Sequence, residues 1–348
     1  MNDLQFLSKR IYLLGGPGGV GKTTLAASLA IHLSSLGHRT LVLTVDPAKR
    51  LAQALGFKSF SQNLQKVHLP HNPQAHLTAS MLDSELYFDK VIERFAPSPE
   101  QKRKILENRL YRTMVDSLGG SHEYAAMERL LEFASSPDYD KIVVDTPPTQ
   151  NALDLIRAPQ RLASFMDSSV ISWFQKKGGF QLFQRGTQLA MKGLQKILGS
   201  DFLEHLSVFL TDLQGMQSGF KERHLAVLDL LKNPSTAFVL VTQASEARFL
   251  ESVEFRKMLE TEHLNLDRVI LNRLEPSFPK LDLGSLNPPE REWMEGLARF
   301  FNDLHVVQEK WAEAFQVALA VKTIRINRKP LRSSEIETLR EMGAELSD

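Results

Sequence analysis

Short apolar runs alternate with longer stretches of helical spacing along most of this chain. The runs at 11–14, 39–45, 64–69, 75–81, 141–145, 236–242, 267–272 and 321–326 predict strands. Those at 39–45 and 141–145 are almost continuously apolar, the pattern of parallel strands buried on both faces. Between them, 25–36 places Leu25, Leu29, Leu33 and Leu36 one helical turn apart. Further helices are predicted over 48–55, 86–95, 104–118, 246–259, 291–320 and 333–346, with a loop over 276–289. Strand-helix alternation of this kind predicts an α/β fold, with a mostly parallel central sheet and helices on its faces.

One long stretch breaks the alternation. From 159 to 232 the pattern is helical throughout and rich in large apolar groups. Leu162, Phe165, Met166, Val170, Trp173 and Phe174 fall on one face. Phe202, Leu203, Leu206, Phe209, Leu210, Leu213 and Met216 fall on another. Two readings stand: the faces pack as core, or part of them forms an adaptable groove for an apolar partner, with Gly178, Gly179 and Gly186 as hinge points. The expected organisation is one domain over 1–348, with a helical segment at 84–135 and a helical subdomain at 159–232.

Composition narrows the function. At 348 residues and 43% hydrophobic content the chain can fill a substantial core. A net charge of +1 gives no electrostatic footprint for nucleic acid or an anionic membrane. With no cysteine, there are no disulfides, thiolate metal sites or cysteine nucleophiles. Residues 1–10 lack the apolar centre of a signal peptide, and no uncharged run approaches the roughly 18–20 residues that span a bilayer, so the expected compartment is the cytoplasm. His68, His71 and His76 have no carboxylate at ligand spacing and are read as surface histidines.

The chemistry concentrates where strands end. After the run at 11–14 comes Gly15-Gly16-Pro17-Gly18-Gly19-Val20-Gly21-Lys22-Thr23-Thr24, which matches G-x-x-x-x-G-K-[ST] between a strand and a helix. Glycines let backbone N–H groups approach a phosphate chain at a helix N-terminus. Lys22 is expected to reach the β- and γ-phosphates, and the Thr23 hydroxyl to ligate Mg²⁺. The strand at 39–45 leads into Asp46-Pro47, placed to face a nucleotide or to cap the next helix; both can hold. The strand at 141–145 delivers Asp145 toward the metal, and Thr146-Pro147-Pro148-Thr149-Gln150 follows as a stiffened loop able to sense a γ-phosphate. Asn272 ends its strand on the ligand side, where its amide could read an adenine edge.

In this order these pieces resemble the arsenical-pump and tail-anchored-protein-targeting ATPases, deviant P-loop NTPases related to MinD and the nitrogenase iron protein. The matching features are the Gly18-Gly19-Val20-Gly21-Lys22-Thr23-Thr24 loop, Asp46-Pro47-Ala48, Gly120 with Glu123, Asp145-Thr146 with Pro148-Thr149, the insert after Pro159, and Asn272. The resemblance implies a Mg²⁺-ATP-dependent homodimer that opens and closes around nucleotide. It implies that Asp46 polarises the attacking water, Asp145 supports the metal shell and Asn272 contacts adenine. Three positions depart from the pattern. Pro17 stands where the class carries a lysine that reaches the partner's nucleotide, and Gln150-Asn151 stands where targeting members carry Gly-His. The absent cysteines leave no zinc pair and no thiolates for arsenite.

The leading expectation is an ATPase whose closure exposes or hides an apolar groove for a polypeptide client. Alternatives are a MinD-like positioning ATPase, a nucleotide-locked binding module and a small-molecule kinase. The C-terminal stretch is Glu-rich, unlike a basic membrane-binding helix, and no acceptor carboxylate beyond the switch aspartates suggests a kinase.

Overall fold

The computed structural model describes residues 3–45, 50–57, 64–81, 84–108, 111, 121–146, 216–279, 287–329 and 335–346. The chain divides into two compact units. The first comprises Met1–Met81, Phe133–Leu153 and Leu231–Asp348; the second holds the remaining residues.

The first unit contains the sheet. Its strands are β1 (Ile11–Gly15), β2 (Thr40–Thr44), β3 (Gln65–Val67), β4 (Leu77–Met81), β5 (Lys141–Asp145), β6 (Thr236–Thr242), β7 (Leu266–Leu274) and β8 (Lys322–Asn327). Their order is β3-β4-β2-β5-β1-β6-β7-β8, so the strand preceding the glycine loop is central. All neighbours are parallel except β3, which runs antiparallel to β4 at one edge. Every residue of β1, β2, β5 and β6 is buried, as expected for strands covered on both faces.

Alternation along the strands sorts the core into two layers. Tyr12, Leu14, Val42, Val143, Val239, Val241 and Ile270 share a cluster with α2 (Lys22–Ser35) and α10 (Glu335–Glu345). α10 packs on α2, burying Leu339, Met342 and Leu346. The opposite side of β6 and β7 is covered by α8 (Glu246–Thr261) and α9 (Pro288–Leu319), which meet through the Phe249 and Phe315 rings, 5.3 Å apart. Of the two, Phe315 is fully buried, which contributes about 1.5–3 kcal/mol.

The predicted strands are all present, with ends moved by one or two residues. Several helix ends differ from the sequence reading. α2 stops at Ser35, leaving Leu36 half exposed rather than on the buried face. Of the helix expected over 104–118, residues 104–107 belong to α5 (Pro99–Glu107), which starts earlier because the Ser98 side chain caps it with proline at its first turn; 109–110 and 112–118 lie outside the described residues. The loop expected over 276–289 ends early, because Asn287 and Glu290 form a reciprocal capping box that starts α9 at Pro288. α1 (Asp3–Leu7) was not predicted; it buries Phe6 edge-on to Tyr12. α3 (Arg50–Ala54) follows β2.

Remote from the strands' carboxyl ends, Arg39 and Asp140 tie the starts of β2 and β5. The guanidinium donates to both carboxylate oxygens, and the Arg39 N–H adds a third bond. These bonds hold the Asp140 carboxyl down at about 2.

In the second unit, α4 (Ser84–Phe95) and α5 are joined by a Glu93–Lys102 ion pair, and Tyr111 donates to Asp89. α6 (Ser121–Ser135) and α7 (Gln217–Lys232) are tied through Arg223 and the buried Glu128, at 2.7 and 2.8 Å. Among the described residues no helix is long and apolar enough to cross a membrane.

Candidate nucleotide site

Register brings three strand ends level. Leu14 of β1 and Thr44 of β2 both stand opposite Asp145 of β5, so the start of the glycine loop, Val45 and Thr146 lie at one edge of the sheet. In an open α/β sheet that carboxyl edge is where ligands bind. Thr44 Oγ1 donates to Asp145 Oδ2 at 3.1 Å, and the Val45 N–H donates to the Asp145 carbonyl. Thr146 returns its hydroxyl to the Leu14 carbonyl at 2.8 Å. Asp145 is 1% exposed, a buried carboxylate at the carboxyl end of β5.

The loop runs from Gly16 to Gly21 and enters α2 at Lys22. Two glycines are sterically required. A Cβ on Gly16 would lie 1.9 Å from the Val241 carbonyl oxygen. Gly21 caps the helix at φ 99°, a left-handed conformation, and a Cβ there would meet Asn272 Nδ2 at 2.4 Å. By contrast Gly18 and Gly19 are exposed and face open space. α2 has no side-chain cap and no acidic residue in its first turn. A helix N-terminus of this kind, with its N–H groups and positive dipole end, favours an anion.

Lys22 is buried, and its ammonium donates to the Gly16 and Pro17 carbonyls, each at 2.9 Å. The expected phosphate ligand thus also straps the loop on which phosphate would sit. Thr23 and Thr24 follow in the first turn, both partly exposed. The donor set suits Mg²⁺: the Thr23 hydroxyl and the Asp145 carboxylate are hard oxygen ligands of the kind this ion takes together with phosphate and water.

Asn272 differs from expectation. Its Nδ2 donates to the Val20 carbonyl at 2.8 Å, so the amide's donor holds the phosphate loop and is not open to a base. The Oδ1 atom is buried and has no hydrogen-bond partner among the described residues. The adjacent Arg273 had no signal in the apolar pattern. It lies in the left-handed region, φ 61°, and donates Nη1 to the Gly19 carbonyl at 3.1 Å.

Asp46, Pro47, Pro147, Pro148, Thr149 and Gln150 lie outside the described residues, as do Phe165, Met166, Trp173 and Phe209. Met216 is described and is 1% exposed, so it is core here and not the wall of an open groove.

The profile of the anion-transporting ATPase family matches residues 9–315. Similar proteins include the ATPase GET3B of Arabidopsis thaliana, 28% identical over 77% of this chain and 65% of that protein. The ATPase get3 of Schizosaccharomyces pombe is 24% identical over 88% of this chain and 87% of its own length. A putative arsenical pump-driving ATPase of Chlorobaculum tepidum is 25% identical over 76% of this chain and 61% of its own. The chain thus spans just under two thirds of the Arabidopsis relative but nearly the whole of the fission-yeast one. With the profile running through the glycine loop, the Asp145 strand and the Asn272 strand end alike, the chain belongs to the anion-transporting ATPase family.

Proposed function

We propose that this chain works as a cytoplasmic homodimer which hydrolyses Mg²⁺-ATP at the carboxyl edge of its sheet and uses the nucleotide state to control access to an apolar surface for a polypeptide client. The observation that carries the reading is the uncapped N-terminus of α2, set behind an open glycine loop and beside the buried Asp145. Those N–H groups and Lys22 would hold the phosphates. Thr23 and Asp145 would hold Mg²⁺, which when bound draws charge from the phosphate oxygens. Asp46 would orient and polarise the attacking water. Asn272 Oδ1, without a hydrogen-bond partner among the described residues, would accept from the exocyclic amine of adenine while Nδ2 keeps its bond to Val20.

The client part rests on the resemblance to the targeting ATPases and on the apolar faces over 159–232. A MinD-like membrane cycle is less well supported, because the apolar side of α10 is already buried against α2. A permanently open patch of that size would promote aggregation, so exposure must depend on nucleotide. The γ-phosphate would set it through Thr149 and Gln150, and ATP can shift the equilibrium only by its differential affinity for the two states.

The test is amide hydrogen exchange with ADP and with a non-hydrolysable ATP analogue, joined to client capture by Phe165→Ser, Met166→Ser and Phe209→Ser variants. Exchange over 162–174 and 202–216 should differ between nucleotides, and the variants should lose capture while keeping ATP turnover. Equal protection in both states, with the serine variants unfolding, would show that these helices are simply core.

A further inference from the structure

The end of β7 carries a distortion that regular pairing does not require. Asn272 pairs with Ile326 of β8 and Leu274 with Asn327, so two steps on β7 oppose one on β8 and Arg273 is the extra residue of a bulge. Arg273 is also one of three non-glycine residues with positive φ among those described. A bulky side chain is disfavoured there, and such strain persists where the surroundings impose it, often at functional positions. The two residues at the bulge reach consecutive carbonyls of one loop: Arg273 donates to Gly19 and Asn272 to Val20.

The direction of those bonds matters. In a trans peptide the C=O and the following N–H point oppositely, so a donor on the Gly19 carbonyl lies behind the Val20 N–H, and one on the Val20 carbonyl lies behind the Gly21 N–H. A donor at the carbonyl polarises the plane and makes its N–H a stronger donor. Lys22 backs the Gly18 N–H in the same way through the Pro17 carbonyl. Its second bond, to Gly16, backs only the Pro17 nitrogen, which has no hydrogen. At Pro17 the loop therefore offers a phosphate chain neither an N–H nor a charge. The exposed Arg273 guanidinium is permanently protonated and carries five N–H donors, of which one is used on Gly19.

We propose that Arg273 is a positioning residue of the nucleotide site: held by the β7 bulge, it fixes the Gly19–Val20 peptide from behind and supplies the glycine loop with the cationic field that Pro17 withholds. The inference rests on the nucleotide reading above and deepens it. Its ligand is the polyphosphate of a nucleoside triphosphate, and the effect must grow with phosphate charge, since a fixed cation acts on each added anion.

Arg273→Gln, Arg273→Lys and Arg273→Gly separate charge, conservative replacement and backbone strain. Calorimetry would compare adenosine, MgADP and a non-hydrolysable MgATP analogue, with thermal midpoints measured alongside. We expect Arg273→Gln to weaken the MgATP analogue at least about tenfold, MgADP less and adenosine not at all, because the lost term is Coulombic. Arg273→Lys should recover most of the loss. Arg273→Gly should bind as weakly as the glutamine variant while melting no lower than wild type, because glycine relieves the positive φ. Wild-type affinity in Arg273→Gln would overturn the proposal, as would an equal loss for adenosine, or a loss that follows the melting temperature and is cured by glycine. Lys22→Ala is the control. If it too binds the analogue normally, the nucleotide reading itself fails; if it alone loses binding, only the role of Arg273 does.

Discussion

Lys22→Ala should lower MgATP affinity by at least about 100-fold, the scale expected when a charge-assisted contact is removed from a desolvated loop. Two losses coincide in that variant. The ammonium that would meet the phosphates is gone, and so are the bonds that strap the loop through the Gly16 and Pro17 carbonyls. Both carbonyls belong to the part of the loop that packs beneath the site, with Gly16 forced against Val241. Lys22→Arg should not rescue, because a planar guanidinium cannot reproduce a compact ammonium reaching two carbonyls from the first turn of a helix. The check is titration calorimetry with MgATP at fixed ionic strength. Affinity equal to wild type in the alanine variant would remove the glycine loop from the account.

Asp46→Asn separates catalysis from binding. If Asp46 polarises water, the variant should hold MgATP within about threefold of wild type yet turn over at least about 100-fold more slowly, the range general-base removal commonly costs. An amide retains the shape and one acceptor oxygen but loses the negative charge that draws a proton from water. Turnover near wild type would reduce Asp46 to a role in local structure. A parallel collapse of affinity would make it an organiser of the ligand. Such a variant should also accumulate in the ATP-bound state, which makes it suited to capturing a client from cells.

Much of the sheet was legible because its signal is local. Runs such as Leu41-Val42-Leu43 and Ile142-Val143-Val144 cannot be buried on one side only, and each ends where an aspartate follows within a few residues. The phosphate loop was legible for another reason: few arrangements other than a cradle place Gly16, Gly21 and Lys22 at that spacing between a strand and a helix. Helix ends were less legible, since they depend on capping more than on period. Ser98 before Pro99, and Asn287 with Glu290, are readable signals that the apolar pattern alone passes over. Arg273 was not legible at all. A bulge arises from the register of β7 against β8, which no single segment encodes, and an arginine beside an apolar strand looks like an ordinary solvated residue. The second role of Asn272 was hidden similarly: its position at a strand end was foreseeable, but its bond to a loop 252 residues earlier was not.

The central claim is that this chain hydrolyses ATP with Mg²⁺ held at the edge where β1, β2 and β5 end. The measurement that bears on it most directly is steady-state phosphate release by the purified wild-type protein, with Mg²⁺ and again with the metal chelated, beside Lys22→Ala prepared identically. The account predicts slow release that requires Mg²⁺ and disappears both on chelation and in the variant, since each removes a part of the same charge-stabilising set. Release that persists undiminished without Mg²⁺, or that is equal in Lys22→Ala, would contradict it.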